Sequence, residues 1–153
     1  MPQSLAAIYA HLVYSTKNRQ PLIRPEIEEE LRKYQAGILK NLESPMICSG
    51  GTADHLHTLI RLGRKVSIAE VVEALKAGSS KWIKTQGPEY ADFYWQSGYG
   101  AFSLGQSGVA GVKKYIANQK EHHRKKTFLA EYVDMLNAFE IDYKDNYIFK
   151  ELE

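Results

Sequence analysis

The chain has 153 residues, 44% of them hydrophobic and 25% charged, with a formal net charge of +2. That length fits one domain with a buried core, and that balance is globular, which excludes a disordered chain. The lone cysteine, Cys48, excludes an intrachain disulfide or a cysteine zinc site, and no apolar run is long enough to cross a bilayer, so a cytoplasmic location is expected.

Ile8–Tyr14 is rich in β-branched and aromatic residues and reads as the first strand. The surrounding Met1–Tyr14 stretch lacks a leading basic residue and contains His11, so it does not read as a secretory signal. A polar, basic loop follows, Ser15 to Pro21. Pro25 and the acids Glu26, Glu28, Glu29 and Glu30 open a helix whose apolar stripe is Ile27, Leu31, Tyr34, Ile38 and Leu42. Met46–Ser49 is a short strand, and Gly50-Gly51 a turn into the next one.

Asp54–Leu62 then alternates. Leu56, Ile60 and Leu62 point one way with Asp54 and Thr58; His55, His57, Leu59 and Arg61 point the other. Ser67 and Glu70 have capping-box spacing before a helix carrying Ile68, Val71, Val72, Leu75, Trp82 and Ile83, which Gly87-Pro88 stops. Phe93–Leu104 contains the last strand. Ser107 caps a third helix over 107–124, with a stripe of Val109, Val112 and Ile116 and with Tyr115, Gln119 and His122 beside it. A final helix and tail cover 128–153.

The order is β-α-β-β-α-β plus C-terminal helices, in one domain with its core in residues 1–105. That is an α+β chain with a ferredoxin-like (RRM-like) antiparallel sheet. Two helices cover one sheet face, and alternation puts His55 and His57 on the other. There the third helix packs, on its own sheet or on a partner's. A histidine pair on a rigid strand is a metal-binding pattern. Basic residues gather around it: Lys17 and Arg19 in the first loop, Arg61 beside the pair, and Lys113, Lys114, Lys120 and Arg124 on the third helix. Such a surface suits a phosphate backbone, and the tyrosines offer stacking surfaces for unpaired bases.

Four segments together resemble the IS200/IS605-type tyrosine transposases of the HUH endonuclease group. They are Thr16-Lys17-Asn18-Arg19, Asp54-His55-Leu56-His57, Trp95 to Phe102, and Tyr115 to His123. The resemblance implies a homodimer that cleaves and rejoins single-stranded DNA at hairpin-marked element ends. It implies Tyr115 as nucleophile, from its own chain or a partner's, and His55, His57 and Gln119 as ligands of a divalent ion, Mg²⁺ or Mn²⁺. Attack by Tyr115 would leave a 5′-phosphotyrosine and a free 3′-hydroxyl, so rejoining needs no nucleotide cofactor.

Other readings compete. An RRM-type binding module would present aromatics on its open sheet face, where this chain has histidines. A closed zinc site needs more than two histidines. A two-histidine phosphoesterase needs two separate His-x-Thr/Ser motifs. A domesticated relative acting on host repeats shares every one of these residues. Asp54, facing away from the histidines, reads as structural. His11 reads as a satisfied sheet residue, His122 and His123 as a solvated helix end in preference to further ligands, and Trp82, Trp95, Phe102 and Cys48 as packing residues.

Overall fold

The computed structural model describes residues 2–144, so the last part of the expected tail lies outside the described residues. Strand β1 (Tyr9–Ser15) is followed by a 3-10 turn at Pro25–Ile27 that leads into helix α1 (Glu28–Asn41). Strands β2 (Met46–Gly51) and β3 (His55–Arg61) precede α2 (Ile68–Ile83) and β4 (Gly100–Leu104). Three helices close the described chain: α3 (Val109–Ala117), α4 (Gln119–His122) and α5 (Phe128–Ala138). The sheet order is β2-β3-β1-β4, all antiparallel, as the ferredoxin-like reading requires. The expected Gly50-Gly51 turn is part of β2 instead.

Helices α1 and α2 cover one sheet face. Leu12 and Tyr14 from β1 and Leu56 and Ile60 from β3 meet Leu31, Leu39, Val71, Leu75 and Ile83 there. Tyr14 Oη sits 3.0 Å from Thr58 Oγ1 and donates to Gln35 Oε1 at 3.1 Å, so the polar atoms within this core are paired. The expected capping box of α2 is present, with Ser67 and Glu70 bonding each other's backbone at 3.0 and 3.1 Å.

The second face is covered by the same chain. Helix α3 lies across β2 and β3. A Cβ added at Gly50 would stand 2.6 Å from the carbonyl oxygen of Ile116, so only glycine lets α3 come this close. From α5, Phe128 and Leu136 pack on Val13 and Phe102. Both central strands are therefore buried on both sides, which explains why β3 is buried along its length up to Arg61. None of the described helices is long and apolar enough to cross a membrane.

The expected helix over 107–124 is corrected in two places. Its first residue is Val109, after a 3-10 turn at Gln106–Gly108, with no side-chain cap from Ser107. It also breaks at Asn118. The Tyr115 carbonyl, which a continuous helix would offer to the Gln119 N–H, instead accepts from the Asn118 N–H at 3.3 Å and the Gln119 side chain at 3.4 Å.

Candidate active site

His55 and His57 leave β3 on the face opposite the α1/α2 core and are fully buried beneath α4 and α5. Gln119 of α4 and Glu131 of α5 point down at them and are also buried. His57 Nε2 is 2.9 Å from Glu131 Oε1, and His55 Nε2 is 3.1 Å from Gln119 Oε1. His123, just past α4, brings its Nε2 to 3.0 Å from Gln119 Oε1 and 3.2 Å from Glu131 Oε1. One ligand atom each from His55, His57, His123 and Glu131 lies within 4.8 Å of all the others.

The outer partners set which ring nitrogens face inward. His55 Nδ1 lies 2.8 Å from Asp54 Oδ1, an atom that only accepts, so Nδ1 carries the proton and Nε2 turns a lone pair to the centre. His123 Nδ1 lies 2.8 Å from the Lys126 carbonyl oxygen, with the same result. Gln119 Nε2 donates to Glu131 Oε2 at 3.2 Å, which aims Gln119 Oε1 at the same two lone pairs. Acceptors thus face acceptors in a buried space. Burial holds His123 below its ordinary pKa, and then the neighbouring His55 does so too, which disfavours relieving the clash by protonation. A cation among these atoms turns the repulsion into attraction, so the residues present fit a divalent metal ion.

Tyr115, half-buried on the last turn of α3, places its ring 5.6 Å from that of His57 and donates its hydroxyl to Glu131 Oε2. Burial raises its pKa, and the Glu131 carboxylate raises it further. Burial alone would raise Glu131 too, but the hydrogen bonds from His57 and from the Tyr115 hydroxyl outweigh it and hold the carboxyl well below the usual carboxylate range. His57 is held low chiefly by burial, against the pull of Glu131. His11 is satisfied, as expected, with its Nε2 2.7 Å from His57 Nδ1.

All four residues taken for the chemistry, His55, His57, Gln119 and Tyr115, therefore meet within one chain. Two expectations are corrected. Asp54 precedes β3 in a bend, outside the alternation, and turns back onto His55. Neither His122 nor His123 is a solvated helix end: His122 turns its buried Nε2 to 3.2 Å from Glu131 Oε2, and the bond of His123 to the Lys126 carbonyl folds it into the centre. Glu131 was not anticipated at all. The signal for it is a lone acid within the apolar stripe of Phe128, Tyr132, Met135 and Leu136.

The basic residues divide by place. Arg19, Lys120 and Arg124 line one groove with Lys126, and it opens beside Asp54 and His123. Lys113 lines a second groove that also reaches Lys120 and Gln119. Lys114 is exposed on α3. Lys17 lies 5.8 Å over the Tyr94 ring, and Lys120 and Arg124 pair with Glu28 and Glu121 at 2.7 and 3.5 Å. Arg61 stands at the other end of β3 from His55, donating to the Ala6 carbonyl at 3.1 Å.

Sheet, helices and site define an α+β protein of ferredoxin-like topology, with a buried histidine centre beside a helix-borne tyrosine. A family model for IS200-like transposases matches residues 4–119, and the chain belongs to that family: it is a transposase. Its fold is shared with a candidate transposase of Deinococcus radiodurans R1. That structure is 20% identical with a TM-score of 0.60, the match covering 78% of this chain and 98% of the other. It is also shared with a REP-associated tyrosine transposase bound to a REP hairpin, 10% identical with a TM-score of 0.60, over 80% of this chain and 72% of the other. No curated protein matches the chain.

Proposed function

We propose that this transposase is a metal-dependent enzyme that nicks and rejoins single-stranded DNA at hairpin-marked ends, with Tyr115 as nucleophile and His55, His57 and Gln119 as metal ligands. The observation that carries the reading is the meeting of Tyr115 with both histidines around one carboxylate inside a single chain. The hairpin bound by the REP-associated neighbour favours hairpin-marked DNA as substrate.

A bound divalent ion would polarise the scissile phosphate and orient it for in-line attack. The rest is supplied by the chain. A tyrosine hydroxyl is a poor nucleophile at neutral pH. Tyr115 already donates to Glu131 Oε2, so that oxygen is the first acceptor for its proton. As the phenolic oxygen bonds to phosphorus, the bond from phosphorus to O3′ breaks, and O3′ leaves as a hydroxyl after taking a proton from solvent. The product is a 5′-phosphotyrosine, and attack by a 3′-hydroxyl reverses the step. The groove of Arg19, Lys120, Arg124 and Lys126 leads to the centre and suits the strand's phosphates, with Lys113 and Lys114 on the flanking helix and Lys17 and Arg61 contributing more distantly.

The test is incubation with hairpin-flanked oligonucleotides and Mn²⁺, followed by intact-mass measurement. The wild type is expected to gain the mass of one cleaved strand per chain, while Tyr115→Phe gains none and still shifts the hairpin in a gel. An adduct on the Phe variant would reassign the nucleophile. Hairpin binding by the wild type with no adduct would favour a binding module without catalysis.

A further inference from the structure

Family resemblance supplies three ligands, two from β3 and one from α4. The structure assigns two more. We propose that His123 Nε2 and Glu131 Oε1 complete a five-donor centre with His55, His57 and Gln119. This centre takes a borderline transition-metal ion of the Mn²⁺ type in preference to Mg²⁺, and Glu131 links that ion to Tyr115 through its second oxygen. The link to Tyr115 rests on the functional reading above; the ligand set does not.

Spacing is the first argument. Donors about 2.1 Å from one ion and at right angles stand about 3.0 Å apart, and tetrahedral neighbours about 3.4 Å. Glu131 Oε1 lies 2.9 Å from His57 Nε2, 3.2 Å from His123 Nε2 and 3.8 Å from His55 Nε2. Gln119 Oε1 lies 3.1 and 3.0 Å from the His55 and His123 nitrogens. The five atoms are spaced as ligands of one ion, and every one of the side chains is at least nine-tenths buried.

Orientation is the second. Asp54 holds His55, the Lys126 carbonyl holds His123, and His11 stands behind His57 at 2.7 Å. Each imidazole has an outer partner that fixes its ring, as metal-bound histidines do. Chemistry is the third. Three imidazoles and one carboxylate suit a borderline ion, whereas Mg²⁺ keeps its water and takes oxygen. Glu131 uses Oε1 toward the His57 and His123 imidazoles and Oε2 toward Tyr115, Gln119 and His122, so one carboxylate spans the cation site and the nucleophile.

The experiment titrates chelator-treated full chain with MnCl₂ and follows free Mn²⁺ by electron paramagnetic resonance. Thermal melts without metal show which variants are folded. The wild type is expected to bind one Mn²⁺ that only a large excess of Mg²⁺ displaces. Glu131→Gln and His123→Ala should each weaken binding at least tenfold, and Tyr115→Phe should leave it within a few-fold. Should one of the first two fail to fold, the other carries the test. Wild-type affinity in the folded variants, with binding lost in His57→Ala, would overturn the five-donor centre and leave the three-ligand reading intact. A wild type that binds no Mn²⁺, or that Mg²⁺ displaces at equal concentration, would overturn it as well. The adduct assay on Tyr115→Phe judges the nucleophile separately.

Discussion

Asp54 shows how a residue outside the proposed ligand set can bear on it. Its Oδ1 lies 2.8 Å from His55 Nδ1 and also accepts from Thr52 Oγ1 at 2.8 Å. Burial would raise its pKa, but the hydrogen bonds from His55 and Thr52 overcome this and hold the carboxyl below the usual carboxylate range. An ionised partner behind an imidazole fixes its tautomer and strengthens it as a ligand, and loss of such a partner costs roughly 10–100-fold in metal affinity. Asp54→Ala is therefore expected to weaken Mn²⁺ binding by about that factor, read by competition with a metal indicator at a temperature where a metal-free melt shows the variant folded. Unchanged affinity would show that the Asp54 contact does not tune His55. The histidine pair itself was readable from the sequence, because strand alternation is a local rule. Glu131 was not, because it meets His57 across 74 positions and Tyr115 across 16. Such contacts follow from how helices dock, and no local period records them. Asp54 was misplaced because alternation was carried one residue past the start of the strand.

At the level of elements, the mounting of α3 decides where Tyr115 points. Gly50 of β2 touches the backbone of Ile116, the residue after Tyr115. In Gly50→Ala the new methyl would stand 2.6 Å from the Ile116 carbonyl oxygen, and no side-chain rotation can relieve a clash with backbone. The helix must move, at a cost of about 1–3 kcal/mol by analogy with other overpacked sites. Chemical denaturation should show that loss, and adduct formation should fall further than the folded fraction does. A variant with the wild-type midpoint and wild-type adduct yield would mean that α3 tolerates the shift. Four strands and the first two helices were readable as elements, since each has its own apolar period and caps. The break at Asn118 was not, because it depends on the Gln119 side chain competing for one carbonyl.

For the molecule as a whole, burying so many imidazoles links stability to pH. Burial, and then the neighbouring His57, bring His11 down from 6.5 to about 3, with Glu131 pulling the other way. His57 and His123 are lowered as well, chiefly by burial. Below the ordinary histidine value the unfolded chain binds protons that the folded chain refuses, so stability must fall as pH drops from 6.5 toward 3 and be unaffected by these groups above that range. Melting temperatures in chelator are expected to decline once the pH passes below 6.5, before carboxylates near 4.5 begin to contribute. A melting temperature constant from neutral pH down to about 5 would mean that the imidazoles are protonated in place.

The seating of Glu131 on α5 sets an order of events during synthesis. The sheet is complete once Leu104 has been made, and the tyrosine and both strand histidines exist by residue 115, yet the carboxylate that joins them is translated later. Until α5 docks, the Tyr115 hydroxyl lacks the carboxylate that accepts from it, and the cluster of three histidines and one glutamate closes only when the last described helix folds down over β3.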